Sequence, residues 1–348
     1  MAKKKRKSGG VPAPKPVKQE ASWPWLVVLG VLMLLVAVMV VLPFLPGRSN
    51  APDSNGTGPS GAPGVTAPIV DDSGAKTMRI VKAGTAYVEK KDTAGTVFSF
   101  RRGDRVEVVE MDAQWATIAV EGRGYYLPRE MVRGVDEHVI VIDAGHQLRE
   151  DIGKEAIGPG GAESEQKMDV GQVGVYTGQQ EYDVTLAAAL KLKGELEGRG
   201  YTVYLTRNNN GVNISNKERA DVAGNLYADA LISLHTGYAE DADVRGVGAV
   251  CQTSKNSYVS ELYTESKELC KTVLDAVAKT TENKKQDVRE TDQLTQINWC
   301  KVPMALVEIG YLSNENDDRL LSGEQYHEKV AKGIADGLDA FFAEDEKK

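Results

Sequence analysis

Four residues of types that bind metals or transfer protons stand at or beside apolar segments of strand length. His146 follows the run VIDAG, His235 follows DALISL, and Glu308 lies within MALVEIG. Glu181 stands where a helical stretch begins after TGQQ. Two histidines and one carboxylate can bind a catalytic zinc ion, and a second carboxylate can act as general base for attack on a carbonyl. The pattern therefore favours zinc-assisted hydrolysis.

Each of these residues taken alone also has a purely structural interpretation. A single histidine at a strand end is often only hydrogen-bonded, and Glu181 would suit a helix N-terminus through the helix dipole. Glu308 is harder to explain in this way, because burying an unpaired carboxylate in an apolar strand is costly. The other two histidines, His138 and His327, are predicted to be solvated and to take no part in the chemistry.

The elements that would position these residues alternate between strands and helices across residues 138–343. Helical spacing is shown by two sets of apolar residues, Tyr182, Leu186, Ala189 and Leu190, and Tyr326, Val330, Ile334 and Leu338. The alternation predicts an α/β catalytic domain with a mainly parallel sheet flanked by helices. Ligands of such sheets bind beyond the carboxyl ends of the strands, where His146 and His235 are expected.

Four segments within residues 138–343 match a known family in their order. They are VIVIDAGH, EYDVTLAAALKLKGELEGRGYTVYLTR, NISNKERADVAGNLYADALISLHT and VPMALVEIGYLSN. With these segments the region resembles the zinc-dependent N-acetylmuramoyl-L-alanine amidases of the Amidase_3 type. The resemblance implies that His146, Glu181 and His235 bind Zn2+ and that Glu308 is the catalytic carboxylate. It also implies the reaction, which is cleavage of the amide bond between N-acetylmuramic acid and L-alanine of the peptidoglycan stem peptide.

Three features depart from the family pattern, and one of them is Asn225, which stands one place later than in the usual Ala-Asn pair. The family usually has Asn two residues after its second histidine, whereas this chain has Gly237. The segment between His146 and Glu181 is longer than usual and rich in glycine, and we predict that it forms a loop over the site. Its acidic residues include Glu163, Glu165 and Asp169. None of these departures removes a predicted ligand or the catalytic carboxylate.

Residues 77–134 contain short alternating runs separated by Gly and Asp turns, which predict five strands of a small barrel. The order GTVFSFRRGDRVEVVEMDAQWATIAVEGRGYYLPREMV, with Trp115 and the pair Gly124 and Tyr125, resembles bacterial SH3-like domains. The initial stretch AYVEKKDTAG departs from that family, so the ligand of the barrel stays open. A spacer and a wall-binding module are both consistent with the sequence.

The first 45 residues predict a membrane anchor. No charged residue occurs from Leu26 to Leu42, and about 20 helical residues span the roughly 30 Å of a bilayer core. Seven basic residues and one acidic residue precede this run, which places the N-terminus in the cytoplasm. A cleaved signal peptide is the alternative, but the apolar run exceeds the usual length of its hydrophobic region. The predicted segments are a basic cytoplasmic tail at 1–22, a transmembrane helix at 23–45 and a flexible linker at 46–76.

Composition excludes several classes of protein. The formal net charge of −8 is the sum of about +6 over residues 1–22 and about −14 over the rest of the chain, so no nucleic-acid partner is expected. The hydrophobic fraction of 41% excludes disorder throughout the chain. Cys251, Cys270 and Cys300 lack paired spacing, which excludes a disulfide scaffold and predicts buried apolar side chains.

The sequence thus predicts a bacterial cell-membrane protein with a single span, whose catalytic domain faces the cell wall and hydrolyses peptidoglycan. A divisome or wall-synthesis protein is a candidate partner. Two alternatives remain open. One is a non-catalytic cell-wall-binding or regulatory protein, and the other is a zinc exopeptidase that acts on the stem peptide.

Overall fold

The computed structural model describes residues 67–92 and 96–345, which contain an all-β domain followed by an α/β domain. The predicted tail 1–22, the predicted transmembrane helix 23–45 and the linker up to residue 66 lie outside the described residues. Within the described ranges, no helix combines the length and the apolar character needed to cross a membrane.

The first domain is an antiparallel sheet of seven strands, two more than the sequence predicted. The strands are β1 (Lys76–Ile80), β2 (Gly84–Tyr87), β3 (Thr96–Phe100), β4 (Arg105–Met111), β5 (Trp115–Val120), β6 (Arg123–Pro128) and β7 (Val132–Gly134). Their order in the sheet is β3-β2-β6-β5-β4-β1-β7. Strands β2 and β7 are only four and three residues long, so neither is long enough to show an alternating pattern by itself. The SH3-like assignment stays a prediction.

The second domain contains a mixed six-stranded sheet. Its strands and the hairpin beside it are β8 (Val139–Ala144), β9 (Asp151–Ala156), β10 (Ser164–Met168), β11 (Thr202–Leu205), β12 (Ala230–Gly237), β13 (Val247–Cys251), β14 (Lys285–Glu290) and β15 (Met304–Tyr311). The sheet order is β11-β8-β12-β15-β13-β14, and all neighbours are parallel except β13 and β15. This confirms the predicted α/β class with a mainly parallel sheet.

Helices cover both faces of this sheet. They are α1 (Glu181–Gly198), α2 (Asn216–Asn225), α3 (Tyr263–Thr281), α4 (Thr295–Trp299), α5 (Glu315–Leu321) and α6 (Glu324–Asp345). Buried residues of α1, α3 and α6 share one core with the sheet, and residues of α2 and α4 form the core on the other face. The three cysteines are free and buried, as predicted.

The sequence identified the buried face of one long helix correctly and that of another only in part. Tyr326 and the residues at four-residue steps after it are buried in α6, as predicted. In α1, Ala189 is buried as predicted, but Leu190 is 48% exposed, and the buried stripe also contains Val184, Ala188 and Leu192. Residues three and seven positions after Glu181 lie on the same helix face as Glu181, so turning Glu181 inward also turns this stripe inward.

The segment between His146 and Glu181 is not only a loop, because β9 and β10 pair within it as an antiparallel hairpin. The two strands have the polar sequences DIGKEA and SEQKM, so no apolar alternation marked them. The hairpin is fixed to the domain, since Trp299 Nε1 donates to Ala156 O at 2.8 Å. It therefore forms a wall beside the carboxyl ends of the central strands.

Candidate metal centre

The carboxyl ends of the central strands bring the four predicted residues to one place. His146 follows β8, His235 lies near the end of β12, and Glu308 lies on β15, where the parallel register pairs it with His235. Glu181 is the first residue of α1. Gly145 allows the His235 ring to pack against the backbone just before His146. A Cβ atom at position 145 would lie only 2.5 Å from that ring.

Three ligand-type atoms lie at mutual distances of 3.1–3.4 Å. His146 Nε2 is 3.1 Å from His235 Nδ1 and 3.3 Å from Glu181 Oε1, and the last two atoms are 3.4 Å apart. Tetrahedral zinc holds nitrogen and oxygen ligands at about 2.0–2.1 Å, which separates neighbouring ligands by about 3.3 Å. The donor types and their spacing therefore fit a zinc ion.

The Glu181 carboxylate is buried, with 2% of its side chain exposed. The backbone N–H of Thr236 donates to Oε1 at 2.8 Å, and that of Gln172 donates to Oε2 at 2.9 Å. Burial raises the pKa of Glu181, but the bonded imidazoles of His146 and His235 lower it well below its ordinary value. Glu181 is thus held in its charged, ligand-competent form.

Asp169 contacts His146 on the side of the ring away from the other ligand atoms. Its Oδ1 lies 2.5 Å from His146 Nδ1. Burial lowers the pKa of His146, but the Asp169 and Glu181 carboxylates outweigh it and raise the pKa to about 10. A carboxylate behind a histidine fixes the tautomer and ring orientation, so Nε2 of His146 is the atom presented to the centre.

Two arginines, Arg207 and Arg219, support the turn that presents His146. His146 has a φ of 61°, in the left-handed region that residues with a Cβ atom seldom adopt. Arg207 donates to the carbonyl oxygens of Ala144 and Gly145 at 2.7 and 3.0 Å. Arg219 donates to those of Ala144 and His146 at 2.7 and 2.9 Å. These bonds satisfy the buried carbonyls and so stabilise the turn.

Glu308 reaches across a neighbouring glycine. The antiparallel register pairs Glu308 with Gly248, and a Cβ atom at Gly248 would lie 2.9 Å from Glu308 Oε2. On the strand beyond, Arg289 Nη2 donates to Glu308 Oε1 at 2.8 Å. Gly248 therefore leaves the space in which the Glu308 carboxylate lies.

All four predicted residues line one cavity of about 440 Å³. The β9–β10 hairpin contributes Glu165, Gln166 and Met168 to its wall. The segment predicted to lie over the site therefore does border it, as a paired hairpin.

The family model described as N-acetylmuramoyl-L-alanine amidase, Amidase_3, matches residues 140–340. This match covers more than half of the chain and includes every residue of the centre. The chain belongs to the Amidase_3 family. The Amidase_3 resemblance inferred from the four sequence segments is thereby confirmed, while the zinc ligands and the catalytic carboxylate that it implies stay predictions.

Curated relatives of this Amidase_3 chain include two amidases. N-acetylmuramoyl-L-alanine amidase AmiC of Neisseria meningitidis serogroup B is 29% identical over 239 residues, which cover 58% of this chain and 52% of that protein. The probable cell wall amidase LytH of Staphylococcus epidermidis is 27% identical over 163 residues, covering 47% of this chain and 50% of that protein. The chain therefore spans about half the length of these two relatives.

Among solved structures, the N-acetylmuramyl-L-alanine amidase Ami1 of Mycobacterium smegmatis superposes with a TM-score of 0.55 at 20% identity. The superposition covers 61% of this chain and 100% of that chain. This likeness supports the fold of the Amidase_3 domain.

The departure at Gly237 has a local packing reason in this Amidase_3 chain. A Cβ atom at Gly237 would lie 2.7 Å from ring atoms of Tyr311. The Tyr311 ring thus occupies the space that the side chain of an Asn at this position would need. Burial and the nearby Glu308 carboxylate raise the pKa of Tyr311, so the ring that fills this space belongs to the surroundings of the predicted base.

The prediction that the remaining histidines are solvated is wrong. His327 is 7% exposed, and its Nε2 donates to Leu321 O at 2.8 Å. His138 is half-buried, and its ring stacks on Phe342 with centroids 3.9 Å apart. Neither histidine lines the cavity that contains the four predicted residues, and each one packs in its own part of the fold.

Sequence reasoning did not assign any role to Asp169, Arg207, Arg219 or Gly248. Asp169 was noted only as one acid in the long segment, and nothing in its neighbours indicated a contact with His146. Arg219 also pairs with Asp143 at 2.8 Å, and both side chains are 1% exposed. A charged residue so deeply buried has no signal in the local sequence, because its partners come from distant strands.

Proposed function

We propose that this chain is a zinc-dependent peptidoglycan hydrolase that cleaves the amide bond between N-acetylmuramic acid and L-alanine of the stem peptide. Family membership supports the activity. The observation that carries the proposal is the triangle of His146 Nε2, His235 Nδ1 and Glu181 Oε1, with Glu308 on the adjacent strand of the same cavity. In this proposal the three residues are the zinc ligands and Glu308 is the catalytic carboxylate.

A bound zinc ion would supply Lewis acidity, which polarises the scissile carbonyl and lowers the pKa of water. Glu308 accepts the proton of the attacking water and returns it to the nitrogen of L-alanine as the amide bond breaks. Its position beside His235 suits both transfers, because it lines the cavity without belonging to the ligand triangle. Asp169 holds the His146 ring in the orientation that this arrangement needs.

We also propose that residues 23–45 anchor the protein in the bacterial cell membrane, with residues 1–22 in the cytoplasm and the catalytic domain facing the wall. The apolar run from Leu26 to Leu42 and the basic residues before it support this arrangement. Peptidoglycan is the substrate in this proposal, and a divisome or wall-synthesis protein is the candidate partner. Protease accessibility of residues after 46 in intact protoplasts would test the topology.

The proposed activity is tested by metal analysis of the full chain together with digestion of purified peptidoglycan. We expect about one zinc per chain and release of new L-alanine amino termini. Glu308→Ala should keep zinc and lose turnover, whereas His146→Ala and His235→Ala should lose both. Full activity in Glu308→Ala would contradict the assignment.

Mass spectrometry of the products separates the proposed activity from its alternatives. Cleavage between the sugar and the peptide supports an amidase, and cleavage of a peptide bond would indicate a zinc exopeptidase. Binding to peptidoglycan without any new amino termini would indicate a non-catalytic wall-binding protein.

A further inference from the structure

The charged side chains around the cavity are unequally divided. Among the residues that the structure describes there, four are carboxylates, namely Glu165, Asp169, Glu181 and Glu308. Arg289 is the single lysine or arginine among these lining residues. Asp169 and Glu181 contact His146 at the proposed zinc position, so outside that position Arg289 is the lining residue that can attract a carboxylate of the substrate.

Arg289 is available to a ligand. Its side chain is 57% exposed, and its one side-chain hydrogen bond among the described residues is from Nη2 to Glu308 Oε1. A guanidinium has five N–H donors in a planar fork, and it binds carboxylates through pairs of parallel bonds. Arg289 can thus keep its contact with Glu308 and still offer donors to a second carboxylate.

The position of Arg289 indicates which side of a substrate it meets. Across the sheet, His235, Glu308, Gly248 and the strand of Arg289 follow one another on β12, β15, β13 and β14. In the proposed reaction Glu308 delivers a proton to the leaving nitrogen, so the peptide lies on the Glu308 side of the ligand triangle. Arg289 lies further along the same direction and therefore faces the stem peptide rather than the sugar.

The stem peptide offers a carboxylate at a suitable place. When its second residue is D-glutamate joined through the γ-carboxyl, the α-carboxylate of that residue is free. This group belongs to the residue after the one that carries the scissile nitrogen, so its carboxylate carbon lies about 6 Å from that nitrogen in an extended chain. An arginine that touches Glu308 is within reach of such a group.

We propose that Arg289 is the specificity-determining residue on the peptide side, where it binds the free α-carboxylate of the second stem residue and favours this stem over the amidated one. The inference rests on the proposed amidase function, because it uses Glu308 to orient the substrate. It assigns Arg289 to substrate binding and assigns no chemical step to it.

The test compares stems that begin L-Ala-γ-D-Glu with the same stems amidated at the α-carboxylate, as muropeptide substrates of the zinc-loaded full chain. The wild type should cleave the carboxylate form with a kcat/KM about 10-fold or more above that of the amidated form. Arg289→Gln should bring the ratio of the two values close to 1, mainly through KM of the carboxylate form. Arg289→Lys should retain part of the preference, because it keeps the charge but loses the fork.

Lys285→Gln provides the matched control. Lys285 lies on the same strand β14, is exposed and pairs with Asp275, but does not line the cavity. Its substitution should leave the preference ratio unchanged. A fall in kcat for both stems in Arg289→Gln, with the ratio preserved, would show that Arg289 only positions Glu308 and would overturn the proposal.

A binding measurement separates this inference from the proposed function. Calorimetric titration of the protein with the two free stem peptides requires no turnover. Tighter binding of the carboxylate peptide, lost in Arg289→Gln, supports the inference even if no amide bond is cleaved. Equal binding of both peptides by the wild type would overturn it even if the amidase activity is confirmed.

Discussion

Two carboxylates are almost completely buried at opposite ends of the same central sheet. Asp229 precedes β12 at the amino ends of the strands, and its side chain is 1% exposed. Glu181 lies at the carboxyl ends, and its side chain is 2% exposed. Burying a charge is costly unless opposite charges or hydrogen bonds compensate it. The two sites differ in what provides that compensation.

Asp229 is compensated by fixed positive charges. Arg79 and Arg133 of the all-β domain approach its oxygens to 2.5 and 2.7 Å, and the backbone N–H of Val139 donates at 2.8 Å. Burial raises the pKa of Asp229, but Arg79 and Arg133 bring it below its ordinary value. The charge of Asp229 is therefore balanced by side chains of the protein itself. The same ion pairs join the all-β domain to the α/β domain.

Glu181 is surrounded by imidazoles instead. Without a metal, the raised pKa of His146 keeps a proton on its ring, and this positive charge lies beside the Glu181 carboxylate. Histidine binds metals as the neutral ring, so a cation placed among the three ligand atoms would replace that proton and balance the carboxylate itself. The comparison teaches that the partners of a buried carboxylate, rather than its burial, distinguish a structural ion-pair cluster from a candidate metal site.

Glu181→Gln should have the largest effect of the substitutions that test this comparison. The substitution keeps the side-chain volume but removes the charge, so zinc should bind weakly or not at all. Zinc stabilises the transition state by several kcal/mol, and its loss should lower kcat/KM by about 1,000-fold. Zinc content after dialysis and turnover of peptidoglycan measure the loss. Asp183→Asn, an exposed change in the same helical turn, is the control. Normal zinc content in Glu181→Gln would refute the ligand assignment.

Asp229→Asn should lower stability and leave the metal centre intact. Removing the charge leaves two arginines without their shared partner, and breaking a buried ion pair costs about 3–5 kcal/mol in the free energy of unfolding. Urea denaturation measures the change, and zinc content should stay at the wild-type value. Glu265→Gln, which removes a more exposed partner of Arg102, should cost less than about 1 kcal/mol. Loss of zinc in Asp229→Asn would show that the two ends of the sheet are not independent.

Asp169→Asn should weaken zinc binding without abolishing it. Partners behind a metal-bound histidine typically contribute 10- to 100-fold in metal affinity, so competition with a chelator should show a decrease of about that size. Glu163→Gln, an exposed change in the hairpin turn, serves as the matched control. Unchanged affinity in Asp169→Asn would indicate that the His146 ring is oriented by Glu181 and the turn alone.

The smallest expected effect is the pH dependence of the free energy of unfolding that Asp229 contributes through its arginine partners. Because the pKa of Asp229 is lowered in the folded protein, its contribution is complete above the unfolded pKa of about 3.9 and is lost as the pH falls through the lower folded value. The stability advantage of the wild type over Asp229→Asn should therefore shrink from pH 6 to pH 3. Urea denaturation with a chelator in every sample measures it. A constant difference across this range would contradict the ion-pair explanation.

The sequence allowed the four residues of the candidate centre to be predicted, because each of them lies beside or within an apolar strand or at the start of a helix. His146, His235 and Glu308 stand out against strongly apolar neighbours, and the sheet rule then places them together. The same reasoning failed for β9, β10 and β14, whose polar sequences carry no alternation. It found the buried face of α1 only in part, because the orientation of a helix on a sheet depends on its tertiary partners.

By itself the sequence determined the α/β class and the Amidase_3 family, and it predicted the four residues of the candidate centre, because periodic apolar patterns and residue types are local properties. Only the tertiary structure showed that Asp169 contacts His146, that Gly248 leaves space for Glu308, and that Arg289 touches its carboxylate. These contacts join residues from different strands and loops. The distances between these residues depend on the register and twist of the assembled sheet. Register and twist cannot be predicted from the pattern of residues along the chain.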